Sequence, residues 1–464
     1  MSNQKVMSVE NRSIDFIPHE ERHGRPFSLF TLWFGGNMQV TSIAAGAISV
    51  MVGLPLSWAI IGSVLGMVIG AVFMALHSAQ GPILGVPQMI QSRAQFGYYG
   101  AIIPLVLVIL MYLGYFSVTS VQGGAAFQSL THIDIVPSIV IVVVIMAVLA
   151  AVGYKLLHSA EKWLSILSGI AFLILTVYLV VNNNFSNVWS LDGFSWPLFM
   201  VAVTVAATWQ LTYAPYVADY SRYLPANTSV RASFWWTYLG SVISSSWMFA
   251  FGAMAQAVAS EAFAGGSVDF IVQQAPFGQP IFLIIIIGGV VGVNALNLYG
   301  AFMSSTTVLN SLFRFTVTRT IRIVIIAIVA IVGTILAIAG KDDFLWNFLN
   351  FILFLAYFLI PWTAINLADF YMVRKEKYSV AALFQPRGEY GGFDWRALTA
   401  YAFGIIVEIP FIASSFYTGP FAAAMGGVDI SWLLGIPAAG GLYVILMKLN
   451  PTRKKYPADT SVLG

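Results

Sequence analysis

The 464-residue chain contains no cysteine. Disulfides, thiolate metal sites and cysteine nucleophiles are therefore excluded. Charge is almost as scarce: Asp, Glu, Lys and Arg make up 9% of the residues, against roughly 25% in a typical soluble domain. So few charges cannot cover a soluble surface of this length. His19, His23, His77, His132 and His158 fall in loops or at the ends of apolar runs, without metal-ligand spacing, so no metal site is expected. No Walker loop is present to support ATP-driven transport. No acidic ring or carbonyl filter marks a channel. No acid–base or nucleophilic group shares one depth with another, so an enzyme is not expected. Neither a cofactor nor a nucleic-acid partner is expected.

Apolar length is what the chain has in abundance. Hydrophobic residues make up 59%, and the mean hydropathy is +0.83. The lipid bilayer is thus its solvent. Twelve apolar runs recur, at about 29–52, 56–76, 101–130, 135–153, 161–181, 197–220, 233–259, 279–305, 321–340, 344–370, 397–417 and 428–448. A helix crosses the hydrocarbon in roughly 20 residues, so each run is long enough. None alternates with period two, which excludes a β-barrel. Counted along these runs, 21 of the 22 Lys and Arg residues fall on the side of the N-terminus; the exception is Lys341, beside Asp342 and Asp343. This bias predicts a multi-pass protein of the cell membrane with both termini cytoplasmic. The first 25 residues lack an apolar signal core, so no cleaved signal peptide is expected. The basic stretch 448–455 reads as a topology anchor.

Polar side chains in the middle of these runs need a reason. In run 1, Gly35 and Gly36 weaken the helix, and Asn37, Gln39 and Thr41 follow them. This pattern predicts a discontinuous helix against a cavity; close packing through the glycines is the alternative. In run 6, Trp209, Gln210, Thr212 and Tyr213 lie at the middle, and Pro215 interrupts the helix. Run 3 places Tyr115 after Gly114, and run 8 places Asn294 and Asn297 on one face. Runs 1 and 6 each begin a group of five, and runs 3 and 8 are each third in theirs. Five is odd, so the second group enters from the opposite side. The expected fold is all-α, with 12 transmembrane helices in a five-plus-five inverted repeat plus two C-terminal helices. It divides into a cytoplasmic segment 1–28, repeats 29–181 and 197–370, a cytoplasmic loop 371–396, two further helices 397–448 and a tail 449–464. Aromatic faces and neutral amides at one depth favour a flat, uncharged solute with a polar edge. Nucleobases, hydantoins and related lactams have that shape.

Five segments carry a resemblance: EERHGRP (Glu20 to Pro26), WFGGN (Trp33 to Asn37), APYVADYSRYLP (Ala214 to Pro225), NALNLYG (Asn294 to Gly300) and PWTAINLADFYMVR (Pro361 to Arg374). Together they resemble the nucleobase–cation symporter family one, in its purine–cytosine permease branch. The resemblance implies a leucine-transporter-type fold and import of a neutral nucleobase by alternating access coupled to an ion gradient. It implies stacking on Tyr115 and on a run-6 residue among Trp209, Gln210 and Tyr213. It further implies an amide from Asn294 or Asn297 and a contribution from Gly36, Asn37 and Gln39. Sodium-coupled relatives hold the ion with hydroxyl side chains of helix 8; the matching positions, Gly289, Gly292 and Val293, have none. Proton coupling is therefore expected over sodium. Asp219, Arg222 and Asp369, near the cytoplasmic ends, are candidates for gating or ion coupling; Glu161 and Lys162 read as gate or capping salt bridges, and no residue stands out as the proton carrier. Glu408, in run 11, is expected to pair with a neighbour or a partner subunit. Allantoin-type rings and pyrimidine vitamin precursors remain alternative substrates, a ligand-binding sensor is the alternative class, and the oligomeric state is open.

Overall fold

The computed structural model describes residues 15–152, 154–186, 188–313 and 318–450, apart from the side chains of 152–162 and 264–265. The side chains of Glu161 and Lys162 and the basic residues beyond Asn450 thus lie outside the described residues. Among the described residues there is no strand, only one bridge between Ala413 and Thr418. The helices are α1 (Phe27–Gly36), α2 (Val40–Met51), α3 (Leu56–Ser78), α4 (Gln80–Leu84), α5 (Gln88–Phe96), α6 (Ile102–Thr131) and α7 (Ile135–Val152). There follow α8 (Tyr154–Asn182), α9 (Trp196–Leu211), α10 (Val217–Ser221), α11 (Val230–Val258), α12 (Ser260–Gly265) and α13 (Ser267–Gln273). The last are α14 (Gln279–Phe313), α15 (Arg319–Gly340), α16 (Phe344–Leu367), α17 (Trp395–Glu408), α18 (Pro420–Ala424) and α19 (Ser431–Leu449). Among them, eight helical segments are long and apolar enough to cross a membrane.

Two chain breaks fall at mid-run. α1 stops at Gly36, Gln39 is extended (φ −143°, ψ 150°), and α2 restarts at Val40. Ser42 Oγ donates to the freed Asn37 carbonyl at 2.9 Å. α9 stops at Leu211, a tight turn over Ala214–Tyr216 contains Pro215, and α10 resumes at Val217. Proline lacks the amide hydrogen a continuous helix would use there.

Small residues let backbones meet where no hydrophobic drive exists between helices. Gly66 and Gly70 of α3 lie against the carbonyls of Val203 and Ala207 on α9, and Gly252 of α11 lies against the Ile43 carbonyl on α2. α1, α2, α3, α9 and α11 thereby pack as one group, and α6, α7, α8, α14 and α15 as another. α16 packs against both α9 and α6, with α17 and α19 on its outer side. The first group is tied further at one end: Ile17 N donates to Gly85 O at 2.9 Å, and Arg22 donates to Ile17 O at 2.9 Å and Pro82 O at 2.6 Å.

The run at 397–417 is not one helix. α17 ends at Glu408, Ile409–Phe411 forms a tighter turn, and Ala413 pairs with Thr418. Pro410 removes a donor there, and the chain turns back. Glu408, expected to pair with a neighbour or a partner subunit, has no such neighbour on this chain among the described residues. It is fully buried against Gly435 of α19, and neither carboxyl oxygen has a hydrogen-bond partner among the described residues.

Candidate functional site

Between the two groups lies a cavity of about 1380 Å³. It reaches from the two chain breaks to the end of the bundle where α1 begins and α10 finishes. Its charged lining residues are Arg25, Asp219 and Arg222, all at that mouth. Deeper, the wall is aromatic and amide: Gln39, Tyr115, Trp209, Tyr213 and Asn297 line it, with Gly36 at the α1 break.

The breaks position these groups through one buried amide. Asn37 is fully buried and does not line the cavity. Its Oδ1 accepts from Trp209 Nε1 at 2.8 Å and from Tyr213 OH at 2.9 Å. Its Nδ2 donates to Trp33 O at 3.0 Å and Ser244 Oγ at 3.0 Å. One side chain thus ties α1 to α11 and to the end of α9. Gln210 is likewise buried behind the wall: it donates to Ser245 Oγ at 2.8 Å and accepts from Ser241 Oγ at 2.7 Å. Asn294 donates to Phe116 O at 2.9 Å and Ser120 Oγ at 3.0 Å, which anchors α14 on α6. Asn297 donates to Asn294 Oδ1 at 3.1 Å and is held facing the cavity. Of the amides singled out in the sequence, Gln39 and Asn297 reach the cavity; Asn37, Gln210 and Asn294 hold the wall together.

The aromatic groups form a corner. Tyr115 and Trp209 stand edge to face, centroids 5.8 Å apart at 84°. The Tyr115 hydroxyl donates to Thr212 Oγ1 at 3.0 Å, and Thr212 donates to Trp209 O at 2.7 Å. No parallel slot is open between these two rings in this conformation. Sequence reasoning missed the aromatic wall towards the mouth. Trp33 packs on Tyr213 at 5.2 Å and on Tyr220 at 5.7 Å, and Tyr112 packs on Tyr216 at 5.6 Å. Helical spacing alone does not gather them: Tyr213 and Tyr216 sit at the turn around Pro215, and Tyr220 follows on α10.

The gating candidates separate. Asp219 and Arg222 line the mouth; Asp219 Oδ1 accepts from Gln88 N at 2.7 Å, and Arg222 donates to Asp15 O at 3.2 Å. Asp369 lies away from the cavity, fully buried. It accepts from Tyr443 at 2.7 Å, Tyr378 at 2.7 Å, Gln95 at 2.8 Å and Arg374 at 3.1 Å. Burial opposes the Arg374 charge, but Asp369 and nearby tyrosines outweigh it and hold the guanidinium above its usual range. Asp369 therefore fastens α5, α19 and the loop after α16 to one another. His77 is fully buried within the bundle, stacked on Trp362 at 5.1 Å. Among the described residues no three His, Asp or Glu side chains gather to hold a metal.

Comparison with known proteins agrees with this architecture. The family described as "Permease for cytosine/purines, uracil, thiamine, allantoin" matches residues 16–435. The chain is 45% identical to the "Putative purine-cytosine permease YxlA" of Bacillus subtilis, over 97% of this chain and 98% of that protein. It is 26% identical to the purine-cytosine permease fcyB of Emericella nidulans, over 95% of this chain and 88% of that one. Among solved structures, Mhp1, a nucleobase-cation-symport-1 family transporter determined closed with bromovinylhydantoin bound, matches with a TM-score of 0.74 at 21% identity. That match covers 97% of this chain and 98% of Mhp1, and it shows a shared fold. The chain belongs to the family of permeases for cytosine/purines, uracil, thiamine and allantoin, as a multi-pass membrane transport protein and not an enzyme.

Proposed function

We propose that the protein imports a neutral planar nucleobase, cytosine or a purine, by alternating access and proton symport. One observation carries the substrate class. At the depth of the chain breaks the cavity offers aromatic faces and the amides of Gln39 and Asn297, while every charged lining residue stands at the mouth. A charged solute would meet no counter-charge there. A flat base stacks on an aromatic face and pairs its edge with an amide. In this reading Gly36, Gln39, Tyr115, Trp209, Tyr213 and Asn297 touch the base. Asn37, Gln210 and Asn294 position them. Asp219 and Arg222 gate the mouth.

The same reading takes the helices as twelve spans, with α1–α2 and α9–α10 as matching broken helices of a five-plus-five repeat. Both termini are cytoplasmic, and the open mouth faces inward. Proton coupling rests on Gly289, Gly292 and Val293, which bring no side-chain oxygen to α14. A sodium site needs several oxygens. The hydroxyl facing Gly289 is that of Ser168 on α8.

Uptake of labelled cytosine into cells lacking their own permeases tests this, at several pH values with and without sodium. Uptake should rise with acidity and ignore sodium. Sodium-dependent uptake would keep the substrate and refute proton coupling, pointing to the serines of α8. Uptake of allantoin but of no base would refute the nucleobase assignment.

A further inference from the structure

The cavity wall on α6 stops at Thr119, yet the same helical face continues. Gln122 lies seven residues beyond Tyr115 and three beyond Thr119, so the 3.6-residue period puts all three on one face. It sits roughly 10 Å past Tyr115, on the side away from the open mouth. Gln122 is 2% exposed, and neither its Nε2 nor its Oε1 has a hydrogen-bond partner among the described residues. The last polar contact along this face is Thr41 with Thr119, at 3.4 Å. Beyond it, the hydroxyls of α2 are committed to its own segment, Ser42 Oγ to Asn37 O and Ser49 Oγ to Gly46 O. The neighbouring hydroxyl of Ser120 is committed elsewhere, to Phe116 O and Asn294. α13, from the connection between α11 and α14, packs against α6.

A buried amide with both atoms unpaired is costly and asks for an explanation. We propose that Gln122 is a substrate contact of the opposite, outward-open conformation, receiving the polar edge of the incoming planar base before it reaches Tyr115 and Trp209. This rests on the transporter reading above and adds a second station to it. Alternating access opens the far side in the other half of the cycle. An amide there pairs with a donor–acceptor edge as Asn and Gln do with adenine. With the outer side closed, the amide is left unpaired, which favours reopening.

The absence of native cysteine makes the test clean. In intact cells, Gln122→Cys should be labelled by a membrane-impermeant methanethiosulfonate added outside, and cytosine should slow the labelling severalfold. A transport-active variant that is never labelled would overturn the proposal. So would labelling that no transported base slows. Gln122→Leu keeps the volume and removes both polar atoms; its half-saturation for uptake should rise roughly tenfold, the loss of one good hydrogen bond. An unchanged value overturns the proposal as well. Wild-type cells that take up no base would instead refute the proposed function, whereas the labelling result stands apart from which base is carried.

Discussion

Asn297→Ala should lower nucleobase uptake by roughly a hundredfold, the equivalent of losing one bidentate amide contact. The purified variant should melt within ~2 °C of the wild type. The asymmetry follows from where the side chain stands. Asn297 faces the cavity, and its recorded bond is the one it gives to Asn294 Oδ1. Asn294 Oδ1 is buried behind it, but the space the side chain vacates adjoins the cavity, so water can replace the lost donor and the folded state loses little. On the proposed reading the substrate loses the amide that reads its edge, and a site built around such an edge discriminates strongly. Wild-type uptake by the variant would take Asn297 out of the site.

Asn37→Ala should fail for the opposite reason. Asn37 accepts hydrogen bonds from Trp209 and Tyr213 and donates to the α1 backbone and to Ser244. Without it, an indole N–H and a phenol O–H are left buried with no acceptor, at about 1–3 kcal/mol each. The melting temperature should fall by roughly 2–6 °C. Residual protein should bind substrate weakly, because the Trp209 ring is no longer held. A wild-type melting curve combined with abolished uptake would instead make Asn37 a direct ligand. The pair of variants therefore separates the residues that touch substrate from those that hold the wall.

That separation was not legible in the sequence, although the depth of the chain breaks was. Gly35–Gly36 and Pro215 announce the breaks, because each removes something a continuous helix requires. The amides clustered around them follow from the cost of polar groups in hydrocarbon. Helical spacing gives the face on which an amide lies, but not whether a neighbour or the cavity receives it. The decision rests with residues distant in the chain: Ser241, Ser244 and Ser245 on α11 draw in Asn37 and Gln210, and Ser120 on α6 draws in Asn294. Hydropathy also ran through Pro410, since Ile412 and the aromatic residues after it keep the run apolar while the chain turns. The wall of Trp33, Tyr216 and Tyr220 went unnoticed because aromatic residues near the end of a span usually signal an interfacial anchor.

The most direct test of the transport claim is counterflow with purified protein in liposomes. Vesicles loaded with unlabelled cytosine and placed in a trace of labelled cytosine should accumulate label transiently above equilibrium, with no ATP present. Alternating access to one neutral-base site requires that overshoot. Saturable cytosine binding without any overshoot would contradict it and identify a membrane-embedded sensor in place of a carrier.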